Sequence, residues 1–125
     1  MEEKSQKKVL IIEDDQSLAA AYRIKLSPHF ATQNAITGNE GIKYANDWQP
    51  DLIVLDLFLP GLSGQEVLKR LKKDHKTKKI PILVLTNLEG QCEQMLAVGA
   101  SDCMIKTEMS MDQILKKIRD SLDID

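Results

Sequence analysis

The sequence has no apolar run approaching 18 residues, so nothing in it reads as a membrane span. Its first eight residues, Met1 to Lys8, are polar and charged with no apolar stretch, the expectation for a chain without a signal peptide. Aromatic residues make up only 4%, too few for a base-stacking surface. Neither sign of charge dominates: 17 Lys and Arg face 19 Asp and Glu, a net charge of −2. Affinity for phosphate backbones comes from basic charge, so direct nucleic-acid binding is not expected. Two cysteines, Cys92 and Cys103, are too few for a disulfide framework or a zinc knuckle. The expectation is a cytoplasmic protein with free thiols. Linkers, internal repeats and low-complexity segments are also missing.

What is present is 125 residues, of which 42% are hydrophobic. That length suits one domain over 1–125, with its core between about 8 and 122, large enough to fold without staples. Short apolar runs alternate with helical periods. Val9 to Ile12 reads as a buried strand, and Leu18, Ala21, Tyr22 and Leu26 follow at helical spacing until Ser27-Pro28. Phe30 to Ile36 is a weaker strand. Ile42, Tyr44 and Ala45 suggest a second helix ending before Pro50. Leu52 to Leu55 is the strongest strand, and Val67, Leu68 and Leu71 begin a third helix after the Pro60-Gly61 and Ser63-Gly64 loop. Ile80 to Leu85 is a further strand, with Pro81 tolerable only near its start. Leu88, Cys92, Met95 and Leu96 suggest a fourth helix that Gly99 stops, and Cys103 to Ile105 a last strand. Met111, Ile114, Leu115, Ile118 and Leu122 form an amphipathic helix, and Ser110 with Gln113 fits a capping box. Strict alternation of continuous apolar strands with helices predicts an α/β fold with a parallel sheet covered on both faces. Seven Lys or Arg fall among the eleven residues Lys69 to Lys79, which read as a solvated helix end, with a partner-docking patch as the alternative.

In open parallel sheets, sites form beyond the carboxyl ends of the strands. The first strand ends in Glu13-Asp14-Asp15, the third in Asp56, the fourth in Thr86 and the fifth in Lys106. Carboxylate oxygens without His or Cys suit Mg²⁺. An Asp beside such an ion can attack phosphorus and form an aspartyl phosphate. A hydroxyl and an ammonium can receive the phosphoryl oxygens. Taken singly, Glu13-Asp14-Asp15 reads equally as a loop with a helix cap, and a lone Thr86 or Lys106 as structural; four strand ends carrying the matching set together are what point to phosphoryl chemistry.

Val9 to Asp15, Asp51 to Asp56 with Leu57 to Gly64, Ile82 to Thr86, and Gly99 to Lys106 carry a resemblance in their order and spacing. Over nearly its whole length the chain resembles the receiver domain of two-component response regulators. The resemblance implies a flavodoxin-like, doubly wound five-stranded parallel sheet in the order 2-1-3-4-5. It implies that Asp56 accepts a phosphoryl group from a histidine kinase or phosphotransfer protein. It further implies that Glu13, Asp14, Asp56 and the backbone carbonyl of Phe58 hold Mg²⁺, with Mn²⁺ as a substitute. Thr86 would be the switch hydroxyl, Lys106 the ammonium partner, and Asp15 a cap for the first helix. The expected output surface is the fourth helix, fifth strand and fifth helix. The expected partners are the kinase, an output protein or domain, and a second copy after phosphorylation, with no membrane. Such a chain assists its own phosphorylation and dephosphorylation and is not an enzyme acting on outside substrates. It is expected to be either a stand-alone receiver or the excised receiver of a longer regulator.

Several positions depart from that pattern. The aromatic usual in the last strand is Cys103, read as a small buried hydrophobe, with a redox sensor as the alternative. The proline usual after the lysine is Thr107, which predicts a trans Lys106–Thr107 bond and a shifted loop. The small residue usual after the switch hydroxyl is Asn87. Phe58 and Leu88, two residues beyond Asp56 and Thr86, are both apolar and are expected to modulate dephosphorylation by excluding water; the alternative is an outward-facing, partner-binding surface. A phosphohydrolase of the haloacid-dehalogenase type needs a second acid where Phe58 stands. A pseudo-receiver, a binding module without phosphorylation, would have lost one of Asp14, Asp56, Thr86 or Lys106.

Overall fold

The computed structural model describes residues 6–87 and 89–124. Five strands alternate with five helices: β1 (Lys8–Ile12), α1 (Gln16–Leu26), β2 (Ala31–Ala35), α2 (Gly38–Trp48), β3 (Leu52–Asp56), α3 (Gly64–Lys73), β4 (Ile82–Thr86), α4 (Cys92–Val98), β5 (Asp102–Ile105) and α5 (Met111–Ser121). The strands form one parallel sheet in the order β2-β1-β3-β4-β5. The expected flavodoxin-like arrangement is the observed one.

Alternation along the strands divides the core into two layers. Leu10, Ile12, Ile53, Leu55, Ile82 and Val84 face one way and pack with Ala45 of α2, Val67, Leu68 and Leu71 of α3, and Met95 of α4. Val9, Ile11, Leu52, Val54, Leu83, Leu85 and Met104 face the other way, toward Tyr22 and Leu26 of α1 and Ile114, Leu115 and Ile118 of α5. The three central strands are buried on both faces, which is why they read as continuous apolar runs.

Helix starts follow their caps. Asp15, Thr37, Ser63 and Ser110 each accept a backbone N–H from the first turn of α1, α2, α3 and α5. The expected Ser110–Gln113 capping box is present in full. Helix α4 has no side-chain cap bond, and a 3₁₀ turn over Glu89–Gln91 precedes it. Glycine is required at position 64: an added Cβ would lie 2.5 Å from the Asp56 carbonyl oxygen and 2.5 Å from Leu57 Cα. Its absence lets α3 begin directly against the end of β3.

Four expectations change. The second strand is shorter than Phe30 to Ile36, because Phe30 turns into the core below α1. The fourth helix begins at Cys92 and leaves Leu96 47% exposed, since Met95 is fully buried and Val98 only partly packs against the core; Leu88 lies outside the described residues. The cysteines are not free thiols: Cys92 and Cys103 form a disulfide. The chain reverses at Gly99 and Ala100, so the first turn of α4 returns to β5 and the two Cα atoms stand 5.4 Å apart. The solvated reading of Lys69 to Lys79 holds for its charged ends but not for Lys72, whose ammonium turns inward to donate to the carbonyls of Lys78 (3.1 Å) and Ile80 (2.9 Å). Among the described residues no helix is long and apolar enough to cross a membrane.

Candidate functional site at the carboxyl edge of the sheet

Strands β1, β3, β4 and β5 all end on one edge, and each brings a polar side chain there, either its last residue or the one just after it. β1 runs into Glu13, which is 2% exposed, and then into Asp14, which is open to solvent. The Glu13 amide donates to the Ala35 carbonyl (2.9 Å), and the Asn34 side-chain amide donates to the carbonyls of Ile11, Glu13 and Ala35. These bonds from β2 fix where β1 stops. β3 delivers Asp56, 5% exposed, whose Oδ1 accepts the Phe58 amide (3.2 Å).

Glu13, Asp14 and Asp56 each offer a carboxylate oxygen within 4.8 Å of the others. Lys106, the residue after β5, reaches back over the edge. Its Nζ lies 3.0 Å from Glu13 Oε1 and 3.0 Å from Asp56 Oδ2. Burial, followed by hydrogen bonding to Asp56, pushes the Glu13 carboxyl from 4.5 to about 7, although Lys106 and the Asp15 amide pull it down. Burial disfavours the charged form of Lys106, but its bonds to Glu13 and Asp56 outweigh that effect and raise its pKa. Tyr22, below the cluster in the α1 layer, is raised by burial and then by the charges of Glu13, Asp56 and Asp15. An oxygen-only donor set with one solvent-open member fits a hard divalent cation.

Thr86 closes β4 and is 3% exposed. Its hydroxyl donates to Gln91 Oε1 (2.9 Å), in the turn that leads into α4. Asp56, Leu57, Phe58, Thr86, Asn87 and Gln91 line an opening of about 290 Å³. Phe58 stands at its rim with 89% of its surface exposed. The side chain is thus on the outside of the opening, as the partner-surface reading of the sequence allowed. The Lys106–Thr107 bond is trans, and Lys106–Glu108 form a 3₁₀ turn. Asp15 caps α1 through Leu18 N (3.1 Å), as expected.

The fold brings Glu13, Asp14, Asp56, Thr86, Lys106 and Phe58 to one edge. Sequence reasoning missed Asn34, Gln91 and Tyr22. Asn34 and Gln91 act through amide side chains in segments that carry no motif, and Tyr22 looks like any core residue of an amphipathic helix.

The response regulator receiver domain family matches residues 9–119. The DNA-binding dual master transcriptional regulator RpaA of Synechocystis is 36% identical over 116 residues, which cover 90% of this chain and 47% of that protein. The phosphate regulon transcriptional regulatory protein PhoB of Rhizobium meliloti is 30% identical over 115 residues, covering 90% and 50%. The chain therefore spans about half the length of these curated relatives. The receiver domain of the Francisella response regulator 1452 is similar in structure, with a TM-score of 0.87 and 26% identity over 94% of this chain and 98% of that one. The chemotaxis response regulator CheY4 of Vibrio cholerae gives 0.84 and 27%, over 93% and 98%. On the match over residues 9–119 and this sheet topology, the chain belongs to the response regulator receiver domains.

Proposed function

We propose that the chain is a phosphoacceptor switch in which Asp56 takes a phosphoryl group from a phosphohistidine on a kinase or phosphotransfer protein. The observation that carries this reading is the Lys106 ammonium 3.0 Å from both Glu13 and Asp56, beside a triad of carboxylates. A carboxylate oxygen of Asp56 attacks phosphorus, the bond from phosphorus to the imidazole nitrogen breaks, and the nitrogen keeps the electron pair. Lys106 is positioned to exchange a carboxylate contact for a phosphoryl oxygen as negative charge arrives, and the Thr86 hydroxyl is available to turn from Gln91 toward it. Glu13, Asp14, Asp56 and the carbonyl of Phe58 would hold Mg²⁺, or Mn²⁺ in its place, which supplies neutralisation of the phosphoryl oxygens when bound. In this role the protein assists its own phosphorylation and turns over no outside substrate. It works in the cytoplasm beside its kinase, and its output passes through α4, β5 and α5 to a protein, an attached domain or a second copy. A pseudo-receiver is not favoured, because Asp14, Asp56, Thr86 and Lys106 are all retained.

The test is incubation with acetyl phosphate and Mg²⁺ followed by intact mass. The wild type gains one phosphoryl group and Asp56→Asn gains none; uptake by Asp56→Asn would contradict the assignment. The same reading gives Phe58 a part in signal lifetime, together with Leu88. An apolar rim offers attacking water no hydrogen bond, so Phe58→Asn should shorten the life of the phosphorylated form, measured as decay of that mass with Mg²⁺ present.

A further inference from the structure

Helix α4 is held differently from the rest of the molecule. The other four helices start on a side-chain cap; α4 has none, spans seven residues and buries only Met95. What fastens its first turn is the disulfide from Cys92 to Cys103 of β5. The residue immediately before Cys92 is Gln91, which accepts the hydroxyl of Thr86 and lines the opening above Asp56. One covalent bond therefore anchors the segment that the switch hydroxyl contacts.

Two considerations argue against a plain structural staple. A 125-residue α/β domain with two full core layers does not need one. The bridged residues are only 11 apart in sequence, so the bond removes less chain entropy than a long-range cross-link would. Both cysteines are only half-buried, Cys92 at the start of α4 and Cys103 on the edge strand β5. In a reducing compartment, where the proposed function puts the protein, disulfides that do form are transient and redox-sensing as a rule.

We infer that Cys92–Cys103 is a reversible redox site, reduced by a dithiol, that sets how freely the Glu89–Val98 segment moves and so how strongly phosphorylation at Asp56 is transmitted to α4. A thiolate of the dithiol attacks one sulfur, the Cys92–Cys103 bond breaks, and the other cysteine leaves as thiolate. The second thiol of the reductant then displaces the first sulfur. The protein gains two electrons and two protons, and the dithiol becomes a disulfide. Reduction frees the first turn of α4, which then rests on Met95 and the Thr86–Gln91 bond. The transmission clause rests on the receiver reading; the control of α4 mobility does not.

The experiment is amide hydrogen exchange, read by mass spectrometry on the full chain, oxidised and after native treatment with dithiothreitol. It is repeated with beryllofluoride and Mg²⁺ as a phosphoryl mimic. Reduction should add two hydrogens to the intact mass without unfolding. Amides of residues 89–98 should exchange roughly tenfold faster in the reduced chain, with β1 and β3 unchanged. The mimic should alter that segment more in the reduced chain than in the oxidised one. The double variant Cys92→Ser, Cys103→Ser should match the reduced chain with or without dithiothreitol. Equal exchange of residues 89–98 in both redox states would overturn the inference, as would a bond reducible only after denaturation. Uptake from acetyl phosphate, measured in both states, separates the two readings. Failure in both would sink the phosphoacceptor function, while the exchange comparison still decides the redox control.

Discussion

Lys106, just after β5, and Lys72, in the last turn of α3, are both half-buried lysines, yet they sit in opposite electrostatic settings. At the carboxyl edge, Lys106 meets two buried carboxylates, and its proton is held more tightly than in water despite burial. At the amino edge, Lys72 meets only the carbonyls of Lys78 and Ile80, and burial lowers its pKa. Carbonyl dipoles satisfy an ammonium's hydrogens without repaying its lost hydration; carboxylates do both. The comparison separates a lysine that tidies a helix end from one that holds charge in a site. Its partners, not its exposure, distinguish the second.

The comparison breaks most visibly by removing each cation. Lys106→Met leaves Glu13 and Asp56 facing each other without a counter-charge. It should cost the metal-free protein about 3 kcal/mol, the low end for a broken buried pair, because Glu13, already raised to about 7, can take up a proton. Lys72→Met loses two hydrogen bonds to neutral carbonyls and relieves a buried charge, so its cost should stay near or below about 1 kcal/mol. Urea unfolding of both variants measures this, and equal losses would erase the distinction.

The same contrast explains what was legible in the sequence. Lys106 was identifiable because it ends a strand in a recognisable spacing with Asp14, Asp56 and Thr86. The sheet order, the strand cores and the Ser110 capping box were legible for the same reason: each follows from local pattern. Lys72 was not, since nothing in a run of seven basic residues marks which one turns inward. The disulfide escaped because it depends on the reversal at Gly99, which sets Cys92 of α4 against β5. Composition alone spoke for free thiols. Gln91 escaped because its role comes from the turn before α4, an element shorter in the structure than its apolar spacing implies.

A divalent cation should act on one edge alone. With Mg²⁺ at a hundredfold excess over its Kd, the wild type should gain about 2.7 kcal/mol in unfolding free energy. Lys72→Met should gain as much. Asp14→Asn should gain far less, while its metal-free form should be no less stable than the wild type, since a crowded negative charge has been removed. A full Mg²⁺ response in Asp14→Asn would remove that residue from the metal site.

The smallest expected effect is on alkaline stability, where the two lysines should have opposite signs. The folded pKa of Lys106 lies above 10.5, so its stabilisation is complete below 10.5 and is lost as pH rises through the folded value. The folded pKa of Lys72 lies below 10.5, so the folded state sheds its proton first and stability rises with pH up to 10.5. Chemical unfolding from neutral to strongly alkaline pH should therefore show a shallower loss for Lys106→Met and a steeper one for Lys72→Met than for wild type. Parallel profiles would show that the two environments do not differ as described.

The proposed function rests on one atom, a carboxylate oxygen of Asp56, as the point of phosphoryl attachment. Borohydride trapping after exposure to acetyl phosphate and Mg²⁺, followed by peptide mass mapping, reads that position directly, because hydride reduces the acyl phosphate carbon and expels phosphate. The predicted result is reduction at Asp56 alone, undiminished in Lys72→Met; reduction at Glu13, Asp14 or Asp15 with Asp56 intact would contradict the account.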